Sequence, residues 1–131
     1  MAGIVLIGRR LVEPVIQTMA LAIQDWEGWY EGSRSWRNNN PGNLKYAGQP
    51  GAISKDEEGH AIFDSYQSGW NALIRQLEAA FFGTSKVYKP SFSLYEFFHV
   101  YAEANSENYA RAVAAALGVP PETTLAELLV T

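Results

Sequence analysis

Cysteine is absent from the 131 residues. Disulfides and thiolate metal sites are therefore excluded, and the fold has to rest on packing. Basic charge is scarce: 10 Lys and Arg stand against 14 Asp and Glu, for a net charge of −4. A nucleic-acid binder that grips phosphates needs a basic face, so the balance argues against that class. Attraction to any other anionic polymer would not be electrostatic either. No apolar run approaches membrane-spanning length, and Ile4-Val5-Leu6-Ile7 is far too short. Arg9 and Arg10 follow that run instead of preceding it, the reverse of a signal-peptide layout. Internal repeats, low-complexity tracts and linkers are also missing, and His60 has no partner at metal-ligand spacing.

What is present is a core. Hydrophobic residues make up 47% of the chain, with 4 Trp, 7 Tyr and 6 Phe. A chain of this size buries about 68% of its unfolded surface, so one domain over residues 1–131 is expected, with 1–11 as an N-terminal arm or short strand. Pro14 fits a first helical turn, where its missing N–H costs nothing. Val15, Ile16, Met19, Ala20, Ile23 and Trp26 then follow 3–4 spacing, which predicts a buried helix over 13–28. Leu44–Tyr46 and Ala61–Phe63 read as short strands within a small antiparallel hairpin or three-stranded sheet over 43–64. Asp56-Glu57-Glu58 reads as a solvated turn between them. Ser68 is placed as the N-cap of a helix over 68–82 that carries Trp70, Leu73, Ile74, Leu77 and Phe81 and stops at Gly83. Ser93-Leu94-Tyr95-Glu96 is a capping box that opens a helix over 94–103. Asn105 or Ser106 caps the next helix, which ends at Leu117 before Gly118 and Pro120-Pro121. Thr124-Leu125-Ala126-Glu127 is a second capping box. The pattern is α+β and mostly α: four to five helices around one small antiparallel β region.

The chain is organised around residues 23–46. Glu27 falls at the last turn of the first helix, where the C-terminal end of the dipole is already negative. A carboxyl there is expected to titrate high, and more so if Trp26, Trp29 and Tyr30 keep water away. A raised carboxyl pKa is what a general acid needs near neutral pH. Glu31, four residues on, shares its face only if the helix continues, which makes it a secondary candidate. Asn38-Asn39-Asn40-Pro41-Gly42-Asn43 is dense in turn formers, with Pro41-Gly42 suited to the centre of a type II turn. Its amides would make a rigid polar platform suited to the hydroxyl and acetamido groups of a sugar. Trp36, in the same stretch, is a candidate for stacking on a sugar ring.

The helix ending in Glu27-Gly28, followed by Arg37-Asn38-Asn39-Asn40-Pro41-Gly42-Asn43-Leu44, resembles the phage and bacterial peptidoglycan-cleaving proteins of the lysozyme-like superfamily. The resemblance continues through Phe63-Asp64-Ser65, Gly69-Trp70-Ala72-Leu73, Tyr101-Ala102, Asn108-Tyr109-Ala110 and Leu117-Gly118-Val119, so it covers roughly residues 12–119. It implies a lysozyme-like fold with Glu27 as the acid. It also implies that a late tyrosine lines the cleft, Tyr101 first and Tyr109 second. Asn40 and Asn43 would hold substrate or shape the platform.

The activity implied is cleavage of the β-1,4 bond between N-acetylmuramic acid and N-acetylglucosamine, by a monomer, without cofactor or metal, on the bacterial cell wall. Export by a partner, delivery by a phage or fusion to a larger protein would all bring it there. A hydrolase usually needs a second carboxylate, for which Asp25, Glu31 and Asp64 are available. A lytic transglycosylase needs none, because the sugar's own 6-hydroxyl attacks. A non-catalytic glycan-binding or virion structural module, and action on chitin, are the alternatives. If Glu27 is the acid, its carboxyl should lie in a groove and face the amide-rich turn.

Overall fold

The computed structural model describes residues 5–7 and 10–130, with side chains from Val12 onward. The expected packing of the 1–11 arm falls outside the described residues. The described elements are β1 (Val5–Ile7), β2 (Arg10–Val12), α1 (Pro14–Trp26), α2 (Arg34–Arg37), β3 (Ala52–Lys55), β4 (Ala61–Phe63), α3 (Tyr66–Phe82), α4 (Leu94–Tyr101), α5 (Ser106–Leu117) and α6 (Leu125–Leu129). The architecture is α+β and mostly helical, with two separate two-stranded antiparallel sheets among the described residues. No helix there is long and apolar enough to cross a membrane. The chain forms two compact units, Met1–Ala22 with Gln76–Thr131, and Ile23–Arg75. Helices α1 and α3 contribute residues to both.

In the first unit β1 pairs with β2, Val5 opposite Val12 and Ile7 opposite Arg10. Pro14 opens α1 as its spacing predicts, and Ile16, Met19 and Ala20 are fully buried. Each large aliphatic side chain buried this way contributes about 1.5–3 kcal/mol. Helices α4 and α5 pack an aromatic cluster. Phe97 meets Phe98 edge-on at 4.9 Å, Phe98 stacks on Tyr109 at 4.3 Å, and Tyr101 stacks on Phe97 at 5.5 Å. Both capping boxes form. Ser93 Oγ accepts from Glu96 N while Glu96 Oε1 accepts from Ser93 N, and Thr124 and Glu127 do the same. Asn105 precedes α5 with φ +55 and without a side-chain cap, and Gly118 ends the helix at φ +72.

In the second unit Ile23, Leu44, Ala61, Phe63, Trp70, Leu73 and Ile74 are buried. The expected strand at 44–46 is corrected. The partner of β4 is β3, with Ala52 opposite Phe63, Lys55 opposite Ala61, and a bulge between Ala52 and Ser54. Residues 44–46 lie beside 59–61 but form only the bridge Lys45–His60, with Ala61 N donating to Leu44 O at 2.8 Å. The ladder goes no further because Asn40 stands between the next pair, its Oδ1 accepting from Leu44 N and its Nδ2 donating to Ala61 O, each at 2.9 Å.

Helix α3 begins two residues before the expected start. Ser65 caps it, its Oγ accepting from Ser68 N at 3.1 Å, and Ser68 lies inside the helix. The short helix α2 is unanticipated. Ser33 caps it by accepting from Trp36 N at 3.3 Å.

Candidate functional site

The helix α1 ends where the sequence places its acid. Glu27 N still donates to Ile23 O at 2.9 Å, while Gly28 N turns inward to Asp25 O at 3.1 Å. Gly28 then takes φ +82, a conformation that glycine enters freely, and any Cβ there would lie 3.4 Å from the Tyr30 ring. Glu27 is half-buried just past the helix. Trp26 and Tyr30 are 38% and 66% exposed, so the aromatic shield pictured around the carboxyl is open on their side. Trp26 therefore leaves the buried stripe that its spacing suggested. Trp29 is half-buried and tilts against Tyr66 at 5.0 Å; Tyr66 in turn stacks on Trp70 at 6.3 Å. The Tyr66 hydroxyl donates to Gln24 Oε1 at 2.7 Å. Burial pushes its pKa above the ordinary tyrosine value, against the opposing pull of the Gln24 bond.

The asparagine run is a tied scaffold in which each side chain has a separate task. Asn38 Nδ2 donates to Asp56 Oδ2 at 3.1 Å. Asn39, at φ +52, donates from Nδ2 to Phe63 O at 3.1 Å. Asn40 is fully buried: Nδ2 serves Leu44 O and Ala61 O, and Oδ1 accepts from Leu44 N at 2.9 Å. Asn43 N donates to Asn40 O at 2.9 Å, closing the turn. The positive φ falls on Asn43, at +51, and Gly42 is not among the positive-φ residues. The expected type II geometry, which needs a positive φ at its third residue, is therefore corrected. Asparagine tolerates this conformation because its amide bonds locally.

Asn43 Nδ2 donates to Glu27 Oε1 at 3.2 Å. The carboxyl thus faces the amide-rich turn, and residues 16 apart in sequence meet. The donor is neutral, so this contact itself brings no positive charge to the carboxyl.

Gly69 explains how α3 reaches this loop. A Cβ there would stand 1.9 Å from the Asn39 carbonyl oxygen and 3.0 Å from Pro41 Cδ, so only glycine allows the approach. The hairpin tip is held by Asp56, whose Oδ1 accepts from Glu58 N at 3.0 Å and His60 N at 2.8 Å. Fully buried His60 brings Nδ1 to 3.4 Å from Asp56 Oδ2. Burial pushes the Asp56 pKa up. The amides of His60, Asn38 and Glu58, with the nearby imidazole, outweigh it and hold the value down at about 2. Asp56 is therefore a structural node where a merely solvated turn was expected. Its spacing to Asn38 gave no signal of that.

The other site residues divide. Of the two roles weighed for Asn40, the structure gives it the shaping one, since its amide is spent within the protein. Tyr109 is corrected: at 1% exposure, stacked on Phe98, it belongs to the core of the first unit. Tyr101, in the same unit, is half-buried over Phe97. Trp36 is 42% exposed. Glu31 is exposed beyond Gly28, where the end of the helix separates it from the Glu27 face. Asp25 and Asp64 are exposed as well. Among the described residues no group of three or more His, Asp or Glu side chains is placed to hold a metal. Compared with known proteins, the chain matches no family model, no curated protein and no solved structure.

Proposed function

We propose that the chain is a lysozyme-like peptidoglycan glycosidase, cutting the β-1,4 bond between N-acetylmuramic acid and N-acetylglucosamine with Glu27 as general acid. The observation that carries this reading is the Asn43–Glu27 contact, which joins a half-buried helix-end carboxyl to a rigid asparagine turn. In this mechanism Glu27 protonates the bridging oxygen as the glycosidic bond breaks. Positive charge then develops at the anomeric carbon. The exposed settings of Asp25, Glu31 and Asp64 favour a route needing only one carboxylate, in which the muramic 6-hydroxyl closes on that carbon and gives its proton back to the Glu27 carboxylate. Exposed Trp36 offers a face for sugar stacking. The site of action is the bacterial cell wall.

Those same exposed carboxylates favour a second reading, a glycan-binding or virion structural module without catalysis. Incubation with purified peptidoglycan separates the two. Soluble muropeptides are expected, with 1,6-anhydro ends for the transglycosylase route and reducing ends for hydrolysis. Binding without release supports the second reading, and release from chitin alone would move the substrate to another N-acetylglucosamine polymer.

A further inference from the structure

An acid catalyst spends its cycle in two forms, and whatever holds it must accept both. A carboxylate has no proton to give, so a partner must donate to it; a carboxylic acid needs a partner that accepts. An amide carries both groups on one carbon. Asn43 presents Nδ2 to Glu27 Oε1 at 3.2 Å, while its Oδ1 is buried without a hydrogen-bond partner among the described residues. A buried acceptor left unpaired is costly and calls for a reason. Half a turn about the Cβ–Cγ bond would exchange the two atoms and bring Oδ1 to the carboxyl. The turn beneath is fixed by Asn40, whose three bonds hold it to Leu44 and Ala61, and by Asn43 N on Asn40 O. The amide can therefore rotate on a base that does not move.

We propose that Asn43 is the positioning residue for Glu27, its side-chain amide donating to the carboxylate and, rotated, accepting from the protonated acid. Either orientation leaves one polar amide atom unpaired, so Asn43 itself locks in neither form of Glu27. A lysine or arginine in this place would trap the carboxylate, and an aspartate would trap the acid. This role rests on Glu27 being the acid. It assigns Asn43 to the enzyme's carboxyl and not to the substrate.

The test follows the Glu27 side-chain carbon and the Asn43 side-chain amide by NMR through a pH titration, assigned with Glu27→Gln. The Asn43 amide signals should move with the same midpoint as the Glu27 carbon and lose that movement in Glu27→Gln. Asn43→Asp keeps the shape and tolerates the backbone, and it should raise the Glu27 midpoint by about one pH unit or more. Asn43→Gly suits φ +51 and should lower kcat about tenfold or more with KM unchanged. An amide signal that stays flat through the Glu27 midpoint overturns the proposal. So does an unmoved midpoint in Asn43→Asp, or a rise in KM with kcat intact in Asn43→Gly. Should amide and carboxyl titrate together in a protein that cleaves no glycan, the coupling stands and the glycosidase reading falls.

Discussion

Gly69→Ala should be among the most damaging single-methyl additions in the second unit. The new Cβ would sit 1.9 Å from the Asn39 carbonyl oxygen, about 1.5 Å inside ordinary contact. The obstacle is backbone, so α3 and the asparagine loop must separate. Separation strains two hydrogen bonds, Asn39 Nδ2 to Phe63 O at 3.1 Å and Phe63 N to Asn38 O at 2.8 Å. Their loss costs about 1 kcal/mol each, and overpacking adds about 1–3 kcal/mol. Alanine returns about 1 kcal/mol as the better helix former. The net loss is about 2–4 kcal/mol, which at this chain length lowers Tm by about 8–16 °C. Thermal unfolding followed by circular dichroism reads it directly. A Tm equal to or above that of the parent protein would show that α3 does not approach the loop this closely, and the account of the platform would fail with it.

Asn40→Ala leaves Ala61 O and Leu44 N without their buried partner and takes one of two donors from Leu44 O, and should cost about 3 kcal/mol or more in urea unfolding. Loss of less than about 1 kcal/mol would return Asn40 to the candidates for substrate contact. Asp56 titrates lower when folded, at about 2 against an ordinary 3.8. Its contribution to stability is therefore complete above pH 4 and is lost as pH falls through that window toward 2. Asp56→Asn should flatten the acid limb of the stability profile, and an unchanged limb would refute the assignment. Tyr109→Leu should lower stability through lost aromatic packing while KM for glycan stays unchanged; a raised KM with intact stability would restore Tyr109 to the cleft.

Much of the helical framework was legible because its signals are local. Pro14, the two capping boxes and Gly118 act within one turn of the backbone they terminate, and the structure places a helix boundary at each. The hairpin partner was not legible. Both Leu44–Tyr46 and Ala52–Lys55 lie beside Ala61, and the first stops at a single bridge because the Asn40 side chain occupies Leu44 N and Ala61 O. Burial of Tyr109 and exposure of Trp26 were missed for a related reason. Helical periodicity gives a stripe but not its edges, and neighbouring elements decide whether an edge residue is covered. Around Glu27 the sequence supplied the helix end and the amide-rich turn. The meeting of Glu27 with Asn43 depends on loop closure across 16 residues, which no spacing rule encodes. Asp56 escaped notice because its role lies in accepting backbone amides, and acidic turn residues with and without that role look alike in sequence.

The central claim is that the Glu27 carboxyl delivers the proton that breaks a glycosidic bond. The most direct measurement is mass spectrometry of purified peptidoglycan after incubation with the parent protein and with Glu27→Gln, both shown to share one Tm. The account predicts muropeptides from the parent and none above background from the variant. Equal release by the two proteins would contradict it.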